Sequence, residues 1–324
     1  MTSVMQVLAS CVRGALVPED GKVIQSFDFA GIESRVNAWL FNESWKLQAF
    51  QDYDAGIGPD LYKMAYARAF RVPTESVDKD QRLIGKVMEL ALGYQGGSGA
   101  FVTMASTYAV DLDDLASRVW QALPPDVIES AEWMWQKTGG SELSHDVFIA
   151  CDGIKQLWRK LHPKTVQGWS DLDEAATMAV RFPGKVYKLT GGKLAFKVEG
   201  DWLYLRLPSG RKLAYFKPEW DGESVTHLGI DTYTRRWMRT QNYGGKWCER
   251  ACSGVARCLL VDAMFRLDDA RYDLVGTVHD ETIAEVSPDF GSLDEARGLM
   301  CRLPEWAAGL PVAAEGWRAK RYRK

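Results

Sequence analysis

Apolar and polar positions alternate from Lys22 to Phe29 (KVIQSFDF), which predicts a strand ending near Asp28. Gly31 then opens a run whose apolar positions Val36, Trp39 and Leu40 predict a helix. Helical periodicity dominates from there to about residue 180. Within it, Pro73, Thr74 and nearby acidic residues read as a start signal for a long helix over roughly Asp80 to Leu92. Residues 184 to 216 predict short strands with turns at Gly191-Gly192, Glu199-Gly200 and Ser209-Gly210. A helix is predicted over Lys246 to Leu267. The segment Tyr272 to Val286 (YDLVGTVHDETIAEV) then reads as a hairpin turning at His279-Asp280-Glu281. Ser292 with Glu295 forms a capping box for a further helix. The expected class is α+β: an antiparallel sheet bearing acidic residues, with a mainly helical insertion between its parts.

Composition narrows this only modestly. The 324 residues, 46% hydrophobic and 26% charged, suit a soluble globular protein with a sizeable core. Neither repeats nor low-complexity linkers interrupt the chain. The mildly apolar stretch Val4 to Val17 contains Arg13 and lacks a signal-peptide layout, and no run is long enough to span a bilayer. A cytoplasmic location, without a membrane partner, is therefore expected. The six cysteines contain no CxxC pair and there are four histidines, so a structural zinc site has little support. Cys248 and Cys252, four apart, could share a helix face and read as core or surface thiols of a reducing compartment. The net charge of −3 is not that of a strongly basic DNA binder, although Arg235, Arg236 and Arg239, and the tail Arg318, Lys320, Arg321, Arg323 and Lys324, form local basic patches. Asp111, Asp113 and Asp114 read as an ordinary helix start.

Two aspartates are set in apolar sequence: Asp28 at a strand end and Asp280 at the hairpin tip. A carboxylate in such surroundings costs free energy unless a partner or cation meets it. If the strands are neighbours, a divalent ion between the two relieves their repulsion, and magnesium needs only one or two carboxylates besides substrate phosphates. Taken alone, a helix cap and a turn aspartate account for them equally simply. Arg82, Lys86, Leu90 and Tyr94 recur every four residues and so predict one drifting helix face, where a guanidinium fork and an ammonium suit a triphosphate. A solvated basic face is the plain alternative.

The segments Asp28-Phe-Ala-Gly-Ile-Glu33-Ser-Arg35, Arg82-x3-Lys86-x7-Tyr94 and Val278-His279-Asp280-Glu281 resemble, in that order, motifs A, B and C of family A DNA polymerases. Glu89 to Gly97, Leu207 to Arg211 and Tyr243-Gly-Gly-Lys246 further resemble a bacteriophage branch. The resemblance implies a right-hand palm with a mainly helical fingers insertion and no thumb. It places the first part of the palm at residues 1–45 and the fingers at 46–180. A β-rich connection at 181–240 leads to the second part of the palm, with a basic tail, at 241–324. It implies that Asp28, Asp280 and the Phe29 carbonyl bind two magnesium ions, with manganese as a substitute, and that Arg82 and Lys86 grip a dNTP. Leu90 and Tyr94 complete the nucleotide site, Glu33 crowds the sugar 2′ position, and His279, Glu281, Ser253 and Arg35 lie toward the primer-template.

The sequence departs from the family pattern at two positions. Leu90 stands where an aromatic is usual one turn after the motif B lysine, and Ser253 where an amide side chain is usual. Because the chain starts shortly before motif A, a thumb and any exonuclease domain are expected from a protein partner or from a longer polypeptide. If the chain is phage-encoded, the compartment is the host cytoplasm. A non-catalytic DNA-binding or assembly subunit with the same palm, and a metal-dependent phosphohydrolase, are the competing readings. The second leaves the Arg82-Lys86-Tyr94 face unexplained.

Overall fold

A computed structural model describes residues 11, 12, 14–139, 142–231 and 234–322. Arg323 and Lys324 of the basic tail, and most of the Val4 to Val17 stretch, lie outside the described residues. Strand β1 (Val23–Phe29) leads through Gly31, whose positive φ of 60° turns the chain, into helix α1 (Ile32–Phe41). Helices α2 (Ser44–Asp54), α3 (Leu61–Phe70) and α4 (Lys79–Leu92) follow. The expected start signal divides in two: Thr74–Ser76 forms a separate 3-10 turn, and Asp78 with Gln81 makes the capping box of α4. Helices α5 (Ser98–Thr107), α6 (Leu112–Trp120), α7 (Pro125–Thr138), α8 (His145–Leu161) and α9 (Pro163–Arg181) complete the helical stretch. Asp111 caps α6 by accepting from the Asp113 and Asp114 N–H groups, as the sequence suggests.

The chain then folds into β2 (Tyr187–Leu189), β3 (Leu194–Glu199), β4 (Trp202–Arg206), β5 (Lys212–Trp220), β6 (Val225–Ile230) and β7 (Trp237–Gln241). The long helix α10 (Gly244–Asp269), the hairpin β8 (Leu274–Val278) and β9 (Glu281–Val286), helix α11 (Leu293–Cys301) and strand β10 (Ala314–Ala319) end it. At α11 the Ser292 hydroxyl accepts from the Glu295 N–H, while the Glu295 carboxylate accepts from the Tyr272 hydroxyl.

Two compact units result, one taking the chain up to Val36 and from Ser253 onward, the other Asn37–Cys252. The divisions fall inside α1 and α10 rather than at residues 45 and 240, and the helical and β-rich segments share the second unit.

In the first unit four antiparallel strands lie in the order β10-β1-β9-β8. Because β1 is flanked on both sides, it is buried almost throughout. Its face bearing Ile24 packs with Ile283 and Tyr322, and with the partly buried Val278 and Trp317. Its other face sets Phe27 edge-on to Tyr272, with ring centroids 5.9 Å apart.

The second unit contains the helices and an antiparallel meander in the order β2-β3-β4-β5-β6-β7. One face of that sheet buries Leu194, Phe196, Leu203, Leu205 and Tyr215, and α9 packs on its strands. Trp247 meets Phe196 and Tyr215 edge-on. Cys248 and Cys252 are both buried and unbridged.

Candidate active site

Antiparallel pairing sets Asp28 directly opposite Glu281 on β9 and Glu315 on β10, so the three side chains share one face of the first unit's sheet. The β8–β9 turn is two residues, His279 and Asp280, with His279 at a positive φ of 54°. The Phe29 N–H donates to the Asp280 carbonyl at 3.3 Å. That bond ties the backbone after one aspartate to the backbone of the other. Both are half-buried, and His279 is exposed.

Glu281 begins β9 instead of sitting in the turn, and it is 1% exposed. One carboxylate oxygen accepts from the Ser26 hydroxyl and the other from the Tyr322 hydroxyl at 2.7 Å. It is an internal strut between β1, β9 and the residues after β10, beside the two aspartates. Arg35 also departs from expectation. It is buried, and its Nε–H donates to the Ala30 carbonyl at 2.7 Å, so its guanidinium braces the β1–α1 turn. Glu33 and Ser253 are exposed and joined, the serine hydroxyl donating to Glu33 Oε1 at 2.6 Å.

Helix α4 in the second unit carries the expected phosphate-binding pair. The Arg82 Nε–H donates to Asp60 Oδ2 at 2.6 Å, and its guanidinium lies by the Tyr62 ring. The Lys86 ammonium stands 4.4 Å from the Tyr108 ring centroid. Leu90 is exposed. The helix ends at Leu92 with Gly93 still in the helical conformation as its C-cap, and Tyr94 occupies the turn just beyond. Close packing fixes both ends of this region. A Cβ at Gly85 would collide with the Tyr62 carbonyl oxygen, and one at Gly245 with that of Tyr94. The Gly245 N–H donates to Gln95 Oε1 at 2.7 Å, anchoring the turn that carries Tyr94.

Beneath α4, Glu89 is buried among groups from α2 and α8. The Lys46 ammonium and the Trp158 indole N–H both donate to its carboxylate, the latter at 2.9 Å, and His162 Nε2 lies 3.3 Å away. Burial alone would raise the Glu89 pKa. The Lys46 charge and His162 outweigh it and hold the carboxyl well below the usual carboxylate range. Burial pushes His162 down.

Sequence reasoning missed the supporting groups Ser26, Tyr322, Asp60, Tyr62, Tyr108 and Lys46. Only Ser26 carried a signal, since strand alternation places it on the Asp28 face.

The donor set in the first unit fits magnesium. Asp28, Asp280 and the Phe29 carbonyl supply hard oxygens, and the carboxylates are half-buried on adjoining backbone. Among the described residues no group of three or more His, Cys, Asp or Glu side chains is arranged to hold a metal ion. An ion held by the two aspartates would thus take its remaining ligands from backbone, water or substrate.

A palm-like sheet with two carboxylates at one end, together with a helical and β-rich unit carrying Arg82 and Lys86, has the fold of a polymerase POL domain. The solved structure of the POL domain of Pol1 from M. smegmatis, in complex with DNA primer-template and dNTP, matches 99% of this chain and 44% of that one. The TM-score is 0.60 at 17% identity. In sequence the chain is similar to a DNA polymerase of Bacillus phage SP02, at 34% identity over 326 aligned residues. That alignment takes in 98% of this chain and 44% of the relative. A second similarity, 32% over 76 residues, is to a DNA polymerase of Bacillus phage SP01, 8% of whose length is matched. No family model matches the chain. The chain spans less than half the length of these relatives. Both comparisons agree with the resemblance carried by the three motifs.

Proposed function

We propose that this chain carries the nucleotidyl-transfer site of a template-directed DNA polymerase, extending a primer 3′-hydroxyl with dNTPs. The observation that carries the reading is the pairing of Asp28 and Asp280 through the Phe29–Asp280 backbone bond, above a Glu281 already committed to Ser26 and Tyr322. Two divalent ions, magnesium or manganese, would when bound activate the 3′-hydroxyl and stabilise the leaving pyrophosphate. In the transfer, the primer oxygen bonds to the α-phosphorus of the dNTP and the bond to the bridging oxygen breaks.

Asp28, Asp280 and the Phe29 carbonyl hold the ions. Arg82 and Lys86 hold the triphosphate, exchanging their present contacts with Asp60 and Tyr108 for phosphate oxygens. Glu33 limits the sugar, Tyr94 and Leu90 border the base, and His279 faces the primer end. Positioning and charge neutralisation supply the catalysis, with no covalent intermediate.

A thumb, and any exonuclease domain, belong to polypeptide corresponding to the unmatched length of the relatives, in the same or a partner chain. Among the described residues no helix is long and apolar enough to cross a membrane. The host-cell cytoplasm is the compartment proposed.

Primer extension with magnesium and dNTPs tests the reading, alone and with the complementary polymerase polypeptide. The wild type extends the primer and Asp280→Ala does not. Equal inertness of the two while both hold primed DNA in a gel shift overturns catalysis and favours an assembly subunit.

A further inference from the structure

In the second unit's sheet, alternation sends one set of side chains into the core under α9 and the other to solvent. The solvent face of such a sheet is ordinarily polar. Here it carries Trp202 and Tyr204 on β4, Phe216 on β5 and Trp237 on β7. The register pairs Trp202 with Phe216, whose rings stand 4.8 Å apart, and Trp237 lies 6.4 Å from Phe216 on the far side. The row thus crosses the sheet from β4 to its β7 edge. Trp237 is 59% exposed, and Trp202 and the neighbouring Ile230 are exposed too. Large exposed apolar patches mark binding surfaces.

The cations interleaved with these rings indicate the occupant. The Lys212 ammonium sits 5.1 Å from the Tyr204 ring centroid, and Lys217 sits 5.9 Å from that of Phe216. Arg239 pairs in register with Leu228, which itself pairs with Phe216, and Arg235 and Arg236 are exposed before β7. Lys217 and Arg239 are paired with Asp201 and Glu219 at 2.7 and 2.8 Å. Exposed ion pairs of this kind are weak, and a phosphate can replace the carboxylate. Lys212 likewise lies 3.7 Å from Glu199, so each of these cations is held on the face by an exposed contact that a phosphate can displace. A strand that offers π-faces and phosphates together satisfies both parts of the face.

We propose that this face is a sequence-independent stacking platform for single-stranded DNA, with bases on Trp202, Phe216 and Trp237 and phosphates on the flanking cations. The inference is independent of the nucleotidyl-transfer reading, since such a platform can operate whether or not Asp28 and Asp280 catalyse.

Fluorescence anisotropy of a labelled oligo-dT tests it, using the full chain with circular dichroism as a check on folding. Trp237→Ala and Trp202→Ala should each weaken binding about tenfold, whereas Trp237→Phe retains most of the affinity. Lys217→Ala should reduce the slope of log K against log salt by about 0.7. Folded tryptophan variants that bind oligo-dT as tightly as the wild type overturn the proposal. So does self-association of the wild type, seen by sedimentation velocity, that Trp237→Ala abolishes while oligo-dT affinity stays unchanged. In that case the face docks a second copy. Because the readout is oligonucleotide binding, failure here leaves the primer-extension result standing, and the converse holds.

Discussion

Ser253 on α10 hydrogen-bonds Glu33 on α1 at 2.6 Å, joining positions 220 residues apart. Ser253 therefore spends its hydroxyl on Glu33, the residue proposed to limit the sugar. A hydroxyl donating to a carboxylate fixes the rotamer of that carboxylate, and in an exposed setting the bond contributes about 1 kcal/mol. Ser253→Ala should lower discrimination between dNTP and rNTP roughly fivefold. Glu33→Ala should lower it further. The ratio of kcat/KM for the two nucleotides is the measurement, and unchanged ratios in both variants would remove Glu33 from sugar selection.

Glu281 supplies a stability prediction. Tyr322→Phe deletes a buried hydroxyl donor to the Glu281 carboxylate, costing about 1–3 kcal/mol. Denaturant unfolding reads this directly. If Tyr322→Phe unfolds like the wild type, Glu281 is not held in the manner described.

Lys46 and Glu89 should behave unequally in single and double substitution. Glu89→Ala strands a buried ammonium and should destabilise by about 3–5 kcal/mol. The apolar pair Lys46→Met with Glu89→Leu should recover much of that loss, because the desolvation penalty of both ions is removed as well. A double-mutant cycle by urea denaturation checks the coupling, and strict additivity would contradict it.

His227 gives the fold a pH dependence. Burial, followed by the nearby Arg250, Lys246 and Arg239, pushes its pKa down from 6.5 to about 4. The Asn242 amide donates to its Nδ1 at 2.8 Å, which requires the neutral ring. Between those two pH values the unfolded chain carries a proton that the native chain does not, so stability rises with pH across the window. Moving from pH 7.5 to 5 should cost the wild type about 2 kcal/mol more than it costs His227→Gln. Urea denaturation at the two pH values measures this difference, and equal losses would rule out the linkage.

Much of this was legible before any coordinates. The strand ending at Asp28, the α4 helix and the hairpin around Asp280 follow from alternation, helical periodicity and turn chemistry, all of them local, although the capping box of α4 lies past the start signal at Pro73 and Thr74. What was not legible depends on partners far away in sequence. Tyr94 lies in the turn just past α4, which Gln95 at a positive φ of 63° and the close approach of Gly245 to the Tyr94 carbonyl define, and no spacing of four reveals either. Arg35, which the resemblance places toward the primer-template, is buried and bonded to the Ala30 carbonyl of the β1–α1 turn, a contact no local pattern announces. Strands β6 and β7 were read only as part of the β-rich connection at 181–240 and not individually, because β7 (WMRTQ) alternates poorly and is paired with β6. Glu281 was placed in the turn, although the two-residue loop leaves it in the strand.

The hydroxyl bonds from Ser26 and Tyr322 to Glu281 bear on which insertions and deletions the lineage can survive. A one-residue slip between β1 and β9 would send Asp28 to the opposite face and break both bonds at once. Length variation in the His279-Asp280 turn should consequently be absent among functional descendants, even where side chains diverge widely. The hairpins at 207–211 and 221–224 lie in the other unit's sheet, where a change of length leaves the register of Asp28 against Glu281 untouched. Gaps in a family of such chains would then trace the boundary between what chemistry forbids and what drift permits.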